Sequence, residues 1–154
     1  MRPIRFLGLA VVCALAAQAA ARPQGFRVQC AGGTLAGARS AAISRVDLTG
    51  ASELVFRCGK AEFHTPYGRV ESVEYGQNVS RRYAAAILIS PILLLSKERK
   101  HFITLGFLDG EGKRQAVVFR VVKEDIRAML AALEARTGRR VEYQDDEARK
   151  GSKR

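Results

Sequence analysis

Two histidines, His64 and His101, and two carboxylate pairs, Glu71 with Glu74 and Asp145 with Asp146, are the raw material for any metal or acid–base chemistry in this chain. Neither histidine has a second one at ligand spacing, and each falls in a segment that reads as a strand, so both are expected to be structural. The first carboxylate pair is expected on opposite faces of a strand and the second in a polar tail. Neither arrangement gives the fixed, partly buried geometry that tunes a carboxyl group for proton transfer. The nucleophile elbow G-x-S-x-G and the phosphate loop G-x-x-x-x-G-K-[ST] do not occur, and Gly32-Gly33 and Gly110-x-Gly112 read as turn glycines. Asn78-Val79-Ser80 matches the N-glycosylation acceptor, a pattern too short to establish a eukaryotic secretory route. No catalytic residue, cofactor or metal is expected, and no small-molecule substrate is identified.

The start of the chain has the parts of a secretory leader. Arg2 and Arg5 supply the charged region, Phe6 to Ala17 the apolar stretch, and Ala19-Ala20-Ala21 the small-residue exit. Cleavage is expected before Arg22, with Ala17-Gln18-Ala19 as a second register. An uncleaved anchor is the alternative, but the apolar stretch falls well below the roughly 20 residues that span a bilayer as a helix. Cys13 follows Val12, where a lipoprotein peptidase needs a small residue, so lipidation is not expected.

Removal of residues 1–21 leaves two cysteines, Cys30 and Cys58, which are expected to pair in an oxidising compartment. Closing that loop contributes roughly 3–4 kcal/mol in the chain-entropy model. The bond reads as structural, because the sequence holds no C-x-x-C and neither cysteine has a histidine beside it.

The whole chain carries a net charge of +11, and the part after the leader, with 24 Lys and Arg against 15 Asp and Glu, carries +9. A surface of that sign points to an anionic partner, and an anionic lipid or a protein is expected rather than nucleic acid. Arginine outnumbers lysine 19 to 7. That preference, in an alanine-rich chain, is the usual product of GC-rich coding and says nothing about partners.

One apolar run, Ala84 to Leu95, stands between Arg81-Arg82 and the basic group Lys97, Arg99 and Lys100. As a helix it would reach about 18 Å, short of the roughly 30 Å hydrocarbon core, and Pro91 argues against both a central strand and an unbroken helix. Two readings stay open. The run completes the core, or Leu93, Leu94 and Leu95 dip into a membrane or partner surface while Arg81, Arg82, Lys97, Arg99 and Lys100 hold the rim.

The elements that would carry these residues are mostly strands. Residues 22–52 are rich in Gly, Ala and Ser and read as short strands and loops. Leu54-Val55-Phe56 reads as a strand, Gly59-Lys60 as a turn and Ala61 to Tyr67 as a second strand. Arg69 to Tyr75 follows as an extended piece with its charged residues facing out, ended by Gly76. His101 to Leu108 and Gln115 to Val122 form a hairpin about Asp109-Gly110-Glu111-Gly112. Glu124 and Asp125 then open a helix with Ile126, Met129, Leu130 and Leu133 on one face and Gly138 as its cap. Arg139 to Tyr143 adds a short strand, and residues 144–154 read as a disordered charged tail.

Leu54-Val55-Phe56, Pro66-Tyr67-Gly68-Arg69-Val70, Val73-Glu74-Tyr75-Gly76 and the segment from Lys100-His101-Phe102 to Leu133-Glu134-Ala135-Arg136-Thr137-Gly138 together resemble the bacterial pleckstrin-homology-like, or GRAM-like, domain over about residues 53–143. The resemblance implies a small bent barrel capped by a helix, a scaffold that binds lipids, peptides or proteins and seldom catalyses. It carries over no functional residue, and the apolar run departs from its pattern. The fold class expected is mainly β with one C-terminal helix, either that bent barrel or an antiparallel sheet capped by the helix. The function expected is an exported, non-enzymatic binding module, periplasmic or secreted and peripheral to a membrane. An envelope-structural or assembly protein is the alternative, and a small hydrolase ranks behind both.

Overall fold

The computed structural model describes residues 25–38, 43–77, 88–89 and 100–144. The expected leader, the charged tail apart from Gln144 and all of the apolar run except Leu88 and Ile89 lie outside the described residues.

The described chain is a mainly β structure with one C-terminal helix. Its strands are β1 (Phe26–Gly33), β2 (Ile43–Asp47), β3 (Glu53–Cys58), β4 (Ala61–Pro66), β5 (Val70–Gly76), β6 (Leu88–Ile89), β7 (His101–Leu108), β8 (Arg114–Val121) and β9 (Val141–Tyr143), with helix α1 (Lys123–Thr137) before the last. They form one sheet in the order β4-β3-β2-β1-β8-β7-β5-β9. Neighbours are antiparallel except β9, which runs parallel to β5 with Val73 opposite Val141. β6 pairs with the end of β1, Gly32 opposite Ile89 and Gly33 opposite Leu88. The weakly patterned stretch before residue 53 therefore supplies β1, the strand at the middle of the sheet.

Alternation explains the outer strands. β3 buries Leu54, Phe56 and Cys58 and turns Val55 and Arg57 outward, and β2 does the same with Ser44 and Val46. The β7–β8 turn is held by Asp109, whose Oδ1 accepts the N–H groups of Glu111 and Lys113, both at 2.9 Å. Gly112 supplies the left-handed residue there, at φ 79°. Helix α1 turns Ile126, Met129, Leu130 and Leu133 to the sheet, as its spacing predicts. It ends at Gly138, φ 67°, whose N–H donates to the Glu134 carbonyl at 2.9 Å.

The sheet is strongly curled yet open. Phe56 on β3 and Phe119 on β8 are three strand positions apart, about 14 Å in a flat sheet. Their rings stand 5.5 Å apart, and Phe56 also reaches Phe107 on β7 at 6.1 Å. The concave face thus closes over one core, into which α1 packs, while β4 and β9 remain as separate edges. Of the two expected architectures, the antiparallel sheet capped by a helix is the one formed; the sheet is not closed into a barrel.

The central strands differ from the outer ones. β5 buries every residue from Ser72 to Gly76, and β7 every residue from Phe102 to Phe107, so both faces are covered there. Glu74, expected to face out, is only 5% exposed. β5 lies inside the sheet and is covered on both sides, which the alternation of its own residues does not reveal.

Candidate functional site

Cys30 and Cys58 are bonded, with Cα atoms 5.7 Å apart. Cys30 lies just past Gln29, which faces the first residue of β2, and Cys58 is the last residue of β3. The bond therefore ties β1 to β3 across the start of β2. Both cysteines are buried in the core, and a disulfide of this kind suits an oxidising compartment.

Of the basic rim read from the sequence, only Lys100 falls among the described residues. Arg81, Arg82, Leu93, Leu94, Leu95, Lys97 and Arg99 lie outside them. Lys100 stands just before β7 and is 8% exposed.

A different group of cations comes together at the C-terminal end of α1. Tyr67 opens a short 3-10 turn, Tyr67–Arg69, and its buried ring is fixed by the hydroxyl, 3.0 Å from the Leu48 carbonyl and 3.1 Å from that of Gly50. The Arg136 guanidinium stands over that ring, its Cζ 5.9 Å from the centroid. Arg139 donates from Nε to the Val70 carbonyl at 3.1 Å, and Arg69 donates from Nη1 to the Asp109 carbonyl at 2.8 Å. Three arginines thus surround residues 67–70, and Arg140 lies exposed beside them.

Their partners are two carbonyl oxygens and a ring face. Other cations are neutralised: Arg57 pairs with Glu62, Lys113 with Glu111 at 2.6 Å and Arg114 with Glu71 at 3.3 Å. Among the described residues Arg69, Arg136 and Arg139 make no ion pair with a carboxylate. Glu134, the nearest acid on the helix, accepts the Val141 N–H at 2.8 Å. The helix dipole favours a cation at Arg136. It gives no reason for Arg69 and Arg139, which stand outside the helix. Sequence reading missed this group because its members lie some 70 positions apart (Arg69 and Arg139) and meet only where β5 begins beside the end of α1.

The histidines occupy two different settings. His64 projects from β4 with Nδ1 3.0 Å from Glu53 and Nε2 3.1 Å from Glu62. Two carboxylate acceptors call for N–H on both nitrogens, so these bonds hold the imidazole pKa above its usual range, Glu53 foremost. His101 instead faces buried Tyr75, whose hydroxyl is 2.7 Å from Nδ1, and the rings stack at 6.0 Å. Burial, aided by Lys123, pushes this imidazole below its usual range. With both ring nitrogens of His64 taken by carboxylates, no face of it is left for a ligand. Among the described residues no three His, Cys, Asp or Glu side chains are grouped to hold a metal.

No protein-family model matches the chain, and no curated protein matches it. No helix among the described residues is long and apolar enough to cross a membrane.

Proposed function

We propose that the protein is an exported, non-enzymatic binding module that engages an anionic membrane surface through Arg69, Arg136 and Arg139. The placement of these three arginines about residues 67–70, none with a carboxylate partner among the described residues, carries the reading. Each has five N–H donors in a planar fork suited to phosphate oxygens, and a single carbonyl contact at Arg69 and at Arg139, or a ring contact at Arg136, leaves the others available. The leader, the disulfide and the excess of positive charge agree with an exported protein, periplasmic or secreted, that meets anionic headgroups. The likeness to pleckstrin-homology-like domains supports the same reading at the level of the scaffold.

Sedimentation with phosphatidylglycerol vesicles tests it. The chain should pellet with them at low salt and release as ionic strength rises, because exposed charges are screened over about 10 Å at 0.1 M. Changing Arg69, Arg136 and Arg139 together to Gln should abolish pelleting. The same loss of charge at Arg27, Lys60 and Lys113 should reduce it only slightly. Equal effects from the two sets, or no pelleting by the unmodified chain at low salt, would discard the site. Retention of a protein partner through purification without lipid preference would point to an assembly role instead.

A further inference from the structure

The sheet ends at β4 on one side, and the register of the β3–β4 hairpin says which backbone groups are left over there. Cys58 and Ala61 flank the turn Gly59-Lys60, so they form a hydrogen-bonded pair. Alternation makes Phe56–Phe63 and Leu54–Thr65 hydrogen-bonded as well, and leaves Arg57–Glu62, Val55–His64 and Glu53–Pro66 as the pairs without bonds. The N–H and C=O groups of Glu62 and His64 therefore point away from β3, along the edge of the sheet. Pro66 fits the same count, because it falls where the missing N–H would face outward.

Among the described residues β4 pairs with β3 alone, its register runs without a bulge, and Glu62 and His64 are exposed. Edges are usually blunted by lysine, proline or a bulge, and β4 has only a proline as its last residue. The opposite edge, β9, is three residues long.

Charge selects what fits. A second copy can add to this edge antiparallel about a two-fold axis, provided that outward residues meet outward residues. Glu62 opposite its own copy brings like charges together. His64 opposite its own copy does the same when protonated, and it sets Glu62 against Pro66, which has no N–H to give. With the axis at Phe63, Glu62 lies opposite His64 of the second copy, backbone bonds are exchanged in both directions, and the charges are opposite. A slip by one residue turns the faces over. The same axis brings the half-buried Phe63 ring, stacked on Phe56 at 5.0 Å, beside its own copy.

We infer that β4 pairs antiparallel with β4 of a second copy of this chain, centred on Phe63, with Glu62 opposite His64. The inference stands independently of the arginine site.

The surroundings of His64 set how the pairing answers pH. Glu62 on its own strand and Glu53 on β3 bond it, Arg57 on β3 pairs with Glu62, Lys60 stands in the turn, and Asp47 and Arg45 on β2 lie further along the same face. Protonated His64 balances the group formed with Glu53, Glu62 and Arg57. Neutral His64 leaves that group with surplus negative charge, and two such groups meet at the axis. Because the two carboxylates hold the proton above the usual imidazole range, association should be tight below that folded value and weaken as pH rises through it.

Sedimentation velocity of the purified chain over a range of concentrations, without lipid, tests the pairing. A reversible dimer is expected, tighter at pH 6 than at pH 9. Glu62→Lys sets Lys against His64, and His64→Glu sets Glu against Glu62, so each alone should raise the dimer Kd roughly tenfold or more. An equal mixture of the two variants should recover a heterodimer, since Lys then faces Glu and Glu62 faces His64; recovery also shows that both variants fold. A chain that stays monomeric at pH 6, a dimer indifferent to both substitutions, or a mixture that fails to recover would each overturn the inference.

Discussion

The two histidines answer acid in opposite directions. Unfolded imidazole titrates near 6.5. His101, held neutral by burial against Tyr75, refuses a proton that the unfolded chain accepts. Its contribution is whole above that pH and is lost as pH falls through its lower folded value. Protonation at Nδ1 would also leave the buried Tyr75 hydroxyl facing a donor. His64, bonded by Glu53 and Glu62, keeps its proton to higher pH than the unfolded ring. Its contribution is whole below 6.5 and is lost as pH rises through its folded value, and exposure keeps it small. Urea midpoints measured from pH 5 to 8 should therefore lose their acid-side fall in His101→Gln and their shallower alkaline-side fall in His64→Gln. Slopes unchanged in both variants would contradict these assignments. Strand positions for both histidines were legible from alternation. Their partners were not, because Glu53 reaches His64 diagonally across the β3–β4 hairpin, where His64 stands opposite Val55, and Tyr75 reaches His101 across two neighbouring strands.

At the scale of elements, helix α1 shows what periodicity can give. Ile126, Met129, Leu130 and Leu133 were readable as one face, and they are the residues α1 buries. Gly138 was readable as the cap and stands in the left-handed region, with open space where a Cβ would be. Substituting alanine there meets no steric obstacle, so the cost is backbone conformation alone, about 1 kcal/mol. Gly138→Ala should lower unfolding free energy in urea by that amount with an unchanged denaturant slope; a neutral result would mean that the cap relaxes out of its conformation. The hairpin was equally plain from its turn residues. β9 falls within the short strand read at Arg139 to Tyr143, whereas β6, of two residues, holds too little pattern to be seen as a sheet member. Glu74 misled for a related reason. A charged residue in an alternating run signals a solvent face, but a strand with neighbours on both edges and cover on both faces can hold it inside.

For the whole molecule, curvature is the property that the sequence least discloses. Linear order suggests neighbouring hairpins, yet the core is made where β3 meets β7 and β8 across the trough through Phe56, Phe107 and Phe119. The disulfide fixes one wall of that trough by joining β1 to β3, and its 28-residue loop also encloses β2. Opening it frees the unfolded chain, so Cys30→Ser with Cys58→Ser should cost roughly 3–4 kcal/mol. The same bond gives a test of export that needs no localisation experiment. Three cysteines occur in the chain, Cys13 within the expected leader and the other two in the bond. Unfolding the purified protein without reductant and titrating thiols distinguishes the states. A processed, oxidised chain shows none, an oxidised chain that keeps its leader shows one, and a processed but reduced chain shows two. We expect none in protein recovered from the exported fraction. Two would remove the oxidising compartment from the account, and one would leave the bond in place while showing that residues 1–21 are retained.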